Sequence, residues 1–264
     1  MIIDFHTHVF PDRIAPLTVA SIAARIGQQY IAVSDGTVAG LLKNMDRWGI
    51  DLSVIQPVIT KQSHFRSTNE WVAAIRSDRI ECFGGIYAHS DDYKSDIDFV
   101  LSLGLAGLKF HPEYQDFYVD EARMLRIYDY ALGKGLILFF HAGYDPGFPP
   151  PIKSTPAQFA KIAAAMQGGT IVAAHLGGCG QWDEVEKDLA GSDIYLDTAV
   201  GFEYFTEELF LRVLEKHGAD KILFSSDSPW SDGGSEIAHI RSLPIPESAK
   251  DAILSGNAKR LLGL

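Results

Sequence analysis

Short apolar runs alternate with longer amphipathic ones along most of the 264 residues. IIDFH (2–6), LSVIQP (52–57), ECFGGIY (81–87), AGLKFH (106–111), LILFFH (136–141), TIVAAHL (170–176), DIYLDT (193–198) and KILFSSD (221–227) are short and rich in Ile, Val, Leu and Phe. They read as buried parallel strands. Between them the period changes to that of a helix: in GTVAGLLKNMDRWGI, residues Val38, Leu41, Leu42, Met45 and Trp48 share one face. Strand and helix units repeating in this way over a chain of this length predict one (β/α)8 TIM-type barrel, an α/β fold filling 1–264 as a single domain. Two connections are long. Residues 9–35 follow the first strand and contain a candidate helix around 17–26, and HAGYDPGFPPPIKST (141–155) follows the fifth, stiffened by Pro149, Pro150 and Pro151. Both are expected to fold over the barrel mouth.

Composition narrows the class. With 47% hydrophobic and 22% charged residues the chain has the balance of a globular protein with a large core. A net charge of -11 and the lack of any basic run argue against a nucleic-acid partner, whose phosphates need an excess of Lys and Arg. Cys82 and Cys179 both sit in or beside apolar stretches, which suits packing and a reducing compartment better than a disulfide framework. No run is long and apolar enough to span a membrane, so a cytoplasmic protein is expected.

The predicted strands end in ionisable residues: His6, His8, Lys109, His111, His141, His175 and Asp227. A (β/α)8 barrel presents these ends on one face, where catalytic groups collect. His6 and His8 are two apart on a strand and so point the same way, as a metal held by imidazole nitrogens requires. Each residue alone also has an ordinary role: His141 as a loop cap, His175 as a bonded core histidine, Asp227 as a turn residue before Pro229. Together they match the donor set of a zinc or manganese site and are costly to bury unpaired. His64, His89, His217 and His239 have no convergent partner in the sequence and are read as solvated or locally bonded.

IDFHTHVFP (3–11), GLKFHPEYQDF (107–117), FHAG (140–143), AHLGG (174–178), ILFSSDSPW (222–230) and GNAKRLLGL (256–264), in this order, resemble the amidohydrolase superfamily, specifically amidohydrolase family 2. The resemblance implies a divalent metal held by His6, His8, His141 and Asp227, with zinc the first expectation and manganese the second. It implies that His175 polarises a reacting carbonyl or binds a second metal. Lys109 stands where some branches carry a carboxylated lysine bridging two ions. Asp227 would take a proton from the attacking water and pass it to the leaving group. Arg66, Lys109, His111 and Gln115 are candidates for holding a substrate carboxylate or hydroxyl. The implied activity is hydrolysis of a small amide, ester or lactone; the alternatives are non-oxidative decarboxylation or hydration of a small carboxylic acid on the same centre, and a metal-stabilised scaffold without catalysis. The expected partner is a small molecule, with self-association into a homo-oligomer common for such barrels.

Overall fold

A computed structural model describes residues 1–27 and 31–264. The strands are β1 (Ile3–Thr7), β2 (Leu52–Ile55), β3 (Ile80–Cys82), β4 (Gly84–Gly85), β5 (Gly107–Phe110), β6 (Ile137–Phe140), β7 (Ile171–Ala173), β8 (Tyr195–Asp197) and β9 (Ile222–Leu223). All neighbouring pairs are parallel. They fall into β1-β2-β3 and β4 to β9, in sequence order. The ring closes at both seams. Phe83, between β3 and β4, donates its N–H to the Ile55 carbonyl, while Phe5 donates to Phe224 O and Asp227 to His6 O across the last seam. The fold is thus the expected (β/α)8 barrel.

The run 81–87, expected as one strand, is split into β3 and β4. Gly84 allows close packing there, since a Cβ at this position would meet Val100 Cγ1 at 2.5 Å. The expected helices form, including Ala15–Ile26 over the mouth and Val38–Trp48, whose Leu41 and Met45 are buried and whose Thr37 caps the Gly40 N–H. Of the long 9–35 connection, residues 28–30 lie outside the described residues.

Two apolar layers hold the barrel. An inner cluster includes Ile3, Phe5, Val54, Phe83, Phe139, Val172 and Leu223; an outer one, between strands and helices, includes Leu41, Val72, Ile97, Ile127, Phe159 and Phe210. The terminal helix Asn257–Leu262 packs Ala258 against the inner cluster, and Asn257 Nδ2 donates to the carbonyls of Ala219 and Ile222, both at 2.7 Å. Phe5, Phe83 and Phe139 pack together, with centroids 5.7 to 6.5 Å apart, as an apolar plug beneath the strand ends. Among the described residues no helix is long and apolar enough to cross a membrane.

Candidate active site and metal centre

His6 comes from β1, and His8 follows just past its end. Pairing with β2 steps irregularly between Asp4 and Thr7. Such irregularities re-aim side chains, and Phe5 and His6, adjacent in sequence, both reach Phe139 (6.2 and 4.7 Å between centroids). His6 and His8 then converge, their Nε2 atoms 3.1 Å apart. The other nitrogen of each ring is tied down: His6 Nδ1 donates to Asp197 Oδ2 at 3.0 Å and His8 Nδ1 to the Gln56 carbonyl at 2.8 Å. With their protons held on Nδ1, both rings turn an Nε2 lone pair inward, that of His6 also facing Lys109 Nζ. Facing lone pairs repel unless a positive charge lies beside them. Asp227 Oδ1 completes the group, 3.1 Å from His8 Nε2 and 3.3 Å from His6 Nε2.

On the neighbouring strand ends His175 Nδ1 donates to the Ala199 carbonyl at 3.1 Å, leaving its Nε2 bare and 3.1 Å from His141 Nδ1. His141 Nε2 is buried without a hydrogen-bond partner. His175 and Asp227 both adopt left-handed backbone, with φ of 57° and 60°, a conformation that costs roughly 1–2 kcal/mol for a residue with a Cβ. Their N–H groups are held in place by Asp197 Oδ1 (2.7 Å) and His6 O (2.8 Å), respectively.

Burial, reinforced by Lys109 and the surrounding imidazoles, keeps His6 and His111 well below the usual histidine value; His141 is held down by burial and by His111 and His175. Neutral rings are the form that binds a cation. Burial would raise Asp227, but His8, His175 and Lys109 outweigh it and the carboxyl stays below its ordinary range. Burial brings the Lys109 amine down to about 7 against the pull of Asp227 and Asp197, and its Nζ lies 2.9 Å from His6 Nε2. Asp4, raised to about 7 by burial, binds both the N–H and the hydroxyl of Ser226 and so ties β1 to the segment carrying Asp227.

Ligand atoms of His6, His8 and Asp227 lie within 4.8 Å of one another, and those of His111, His141 and Asp145 do likewise. The two groups differ in ring geometry. His111 and His141 are stacked at 4.2 Å and 6°, and a single ion cannot lie in the planes of two parallel rings, so the second group does not form a joint ligand set. His111 instead faces Asp145 Oδ2 at 3.3 Å and accepts from the Tyr114 N–H at 3.5 Å.

Above this floor opens a cavity of about 820 Å³ whose lining includes His6, His8, Lys109, His111, His141, His175 and Asp227. Two candidates for substrate recognition fall elsewhere. Gln115 is buried and spent on the backbone, its Nε2 donating to Ile59 O and Ile86 O and its Oε1 accepting from His111 N. Arg66 is exposed and lies over the Phe99 ring, 4.3 Å from its centroid. Neither lines the cavity. Two residues not singled out in the sequence contribute, Asp145 lining the cavity and Asp197 orienting His6 and the His175 backbone, while His64, read as solvated, is exposed and lines the mouth. Asp197 ends an apolar run just as Asp227 does, so the same rule applied to DIYLDT would have found it.

The amidohydrolase family model matches residues 3–264. The chain belongs to the amidohydrolase family. Among solved structures, this amidohydrolase-family chain is similar to an uncharacterised TIM-barrel protein from Bordetella bronchiseptica (20% identity, 99% and 98% of the two chains, TM-score 0.78). It is also similar to 5-carboxyvanillate decarboxylase from Sphingomonas paucimobilis (18%, 100% and 99%, 0.67) and to a putative 2-pyrone-4,6-dicarboxylic acid hydrolase from Pseudomonas putida (17%, 99% and 97%, 0.68). No curated protein is a significant match. At these identities the structural likeness establishes the shared barrel.

Proposed function

We propose that the protein is a divalent-metal-dependent hydrolase that cleaves an amide, ester or lactone. One observation carries this reading: the inward-turned Nε2 atoms of His6 and His8, 3.1 Å apart, meet Asp227 on the floor of a large cavity. The donors His6, His8 and Asp227 fit a zinc or manganese ion as one group, and His141, which lines the same cavity with an unpartnered Nε2, is the residue that would add a fourth donor. Such an ion, when bound, supplies Lewis-acid polarisation and lowers the pKa of water from about 15.7 towards 7.

The chain's own residues do the rest. Asp227, ionised at neutral pH, accepts the proton of the attacking water and returns it to the leaving group. His175, its Nδ1 proton committed to Ala199 O, turns an Nε2 lone pair inward that suits a second cation or an incoming proton better than a developing oxyanion. Asp197 holds His6 in the required tautomer. The Ala15–Ile26 helix and the 141–155 segment contribute Ile22, Tyr144 and Asp145 to walls that limit water.

A second reading, decarboxylation or hydration of a small carboxylic acid, is favoured by the apolar walls Val9, Val58, Trp71 and Trp230. A carboxylate stripped of water there is destabilised towards loss of carbon dioxide. Screening metal-loaded protein against esters, lactones, amides and unsaturated carboxylic acids, with chromatographic detection of the acid product and carbon dioxide detection side by side, tests both. Acid release without carbon dioxide supports hydrolysis; carbon dioxide release without ester, lactone or amide cleavage refutes it.

A further inference from the structure

The cavity is larger than a reacting group needs. It measures about 820 Å³, whereas a cavity of roughly 150 Å³ suffices to bind benzene. Its ionisable side chains come largely from the strand ends; much of the remaining wall is apolar, including Phe10, Ile22, Ile26, Val58, Trp71 and Trp230.

The Ala15–Ile26 helix accounts for much of this surface. Its sequence, APLTVASIAARI, carries one charge, Arg25. Ala15 and Val19 are buried and anchor it, while Thr18, Ile22 and Ile26 are half-buried and line the cavity. Arg25 reaches the opposite wall, its guanidinium 5.6 Å from the centroid of Tyr114 and 5.2 Å from that of Phe148, rings that themselves pack edge to face at 4.7 Å. The helix is thereby held across the mouth with an apolar side towards the substrate space. A substrate of one ring would leave most of that surface against water.

We propose that the substrate carries an extended apolar body, of the size of a medium-chain acyl group or two fused rings, lying along Ile22, Ile26, Val58 and Trp71 while its carbonyl reaches the histidine floor. The placement of the carbonyl rests on the hydrolase reading; the apolar subsite does not. Linear alkanoates from acetate to octanoate, titrated calorimetrically into zinc-loaded protein, test it without requiring turnover. Affinity rises about two- to fourfold per methylene, with a heat-capacity change that becomes more negative along the series. Ile22→Glu weakens octanoate at least tenfold and acetate less than twofold, and Val58→Trp ends the rise at a shorter chain. Affinity that is flat beyond butyrate, or a methylene increment unchanged in both variants, overturns the proposal. Chain-length-dependent binding by a protein that releases carbon dioxide from the acids and hydrolyses none of the screened compounds would overturn the hydrolase reading and keep the subsite; hydrolysis with flat binding does the reverse.

Discussion

Replacing Asp197 with Asn separates two jobs that one carboxylate performs. Its oxygens accept from His6 Nδ1 at 3.0 Å, from His175 N at 2.7 Å and from Ala199 N at 3.1 Å. An amide offers one oxygen and one NH2, so either the two backbone donors or the imidazole donor meets another donor. An unsatisfied buried donor costs about 1–3 kcal/mol. If His6 escapes by changing tautomer, its proton moves to Nε2, where a cation must bind. Metal affinity therefore falls about 10- to 100-fold, the scale of a lost orienting partner.

Folding responds differently. Burial raises the Asp197 carboxyl to about 6, against the pull of His175 and the two backbone hydrogen bonds. A carboxyl raised in the folded state contributes stability that is complete below its unfolded value of 3.8 and is lost as pH rises through about 6. At pH 7 the ionised group therefore carries a net burial penalty. Asn relieves that penalty but leaves a buried donor without an acceptor. The metal-free Asp197→Asn protein should accordingly compare better with the parent at pH 7 than at pH 4, where the parent carboxyl has regained its proton. Chelator competition measures the affinity, and metal-free thermal melts at the two pH values measure the stability. Unchanged metal affinity with a large loss of metal-free stability at pH 7 would refute this reasoning and leave Asp197 a purely structural residue.

The His6→Ala/His8→Ala double variant loses the metal and keeps its helical circular dichroism, because both side chains stand at the end of β1 above the inner apolar cluster; a collapsed spectrum would make the metal structural. Asp227→Asn, with metal content verified on the same sample, lowers kcat about 100-fold or more with little change in KM, the mark of a lost general base; near-normal kcat removes Asp227 from proton transfer. Burial raises Glu236 to about 8 despite hydrogen bonds from the Gly201 and Phe202 backbone. Its stabilising contribution is complete below 4.5 and fades as pH climbs through about 8, so Glu236→Gln gains up to about 3 kcal/mol at pH 7 and little at pH 4. Thermal melts across that range read the difference directly.

The barrel was legible because its two periods are legible: β5 and β6 lie within AGLKFH and LILFFH, and the helix Val38–Trp48 shows its apolar face in one dimension. The division of 81–87 was not, since it depends on how closely Val100 approaches Gly84, a distance between segments that no local pattern encodes. At the site, the convergence of His6 and His8 follows from strand alternation, although the irregular step after Asp4 that brings Phe5 and His6 together against Phe139 does not. Gln115 and Arg66 looked like substrate contacts because their side chains suit oxyanions. Gln115 is instead consumed by backbone partners from three separate segments, and Arg66 lies over Phe99. His64 lines the cavity from the loop after β2, and only the assembled mouth reveals it.

Elemental analysis of protein purified without chelator tests the central claim most directly. One divalent transition-metal ion per chain, reduced to near zero in a still-folded His6→Ala/His8→Ala variant, is the predicted result; close to two ions per chain would favour a bridging, carboxylated Lys109. Protein that contains no zinc, manganese, iron, cobalt or nickel, and that takes up none when dialysed against zinc, contradicts the account.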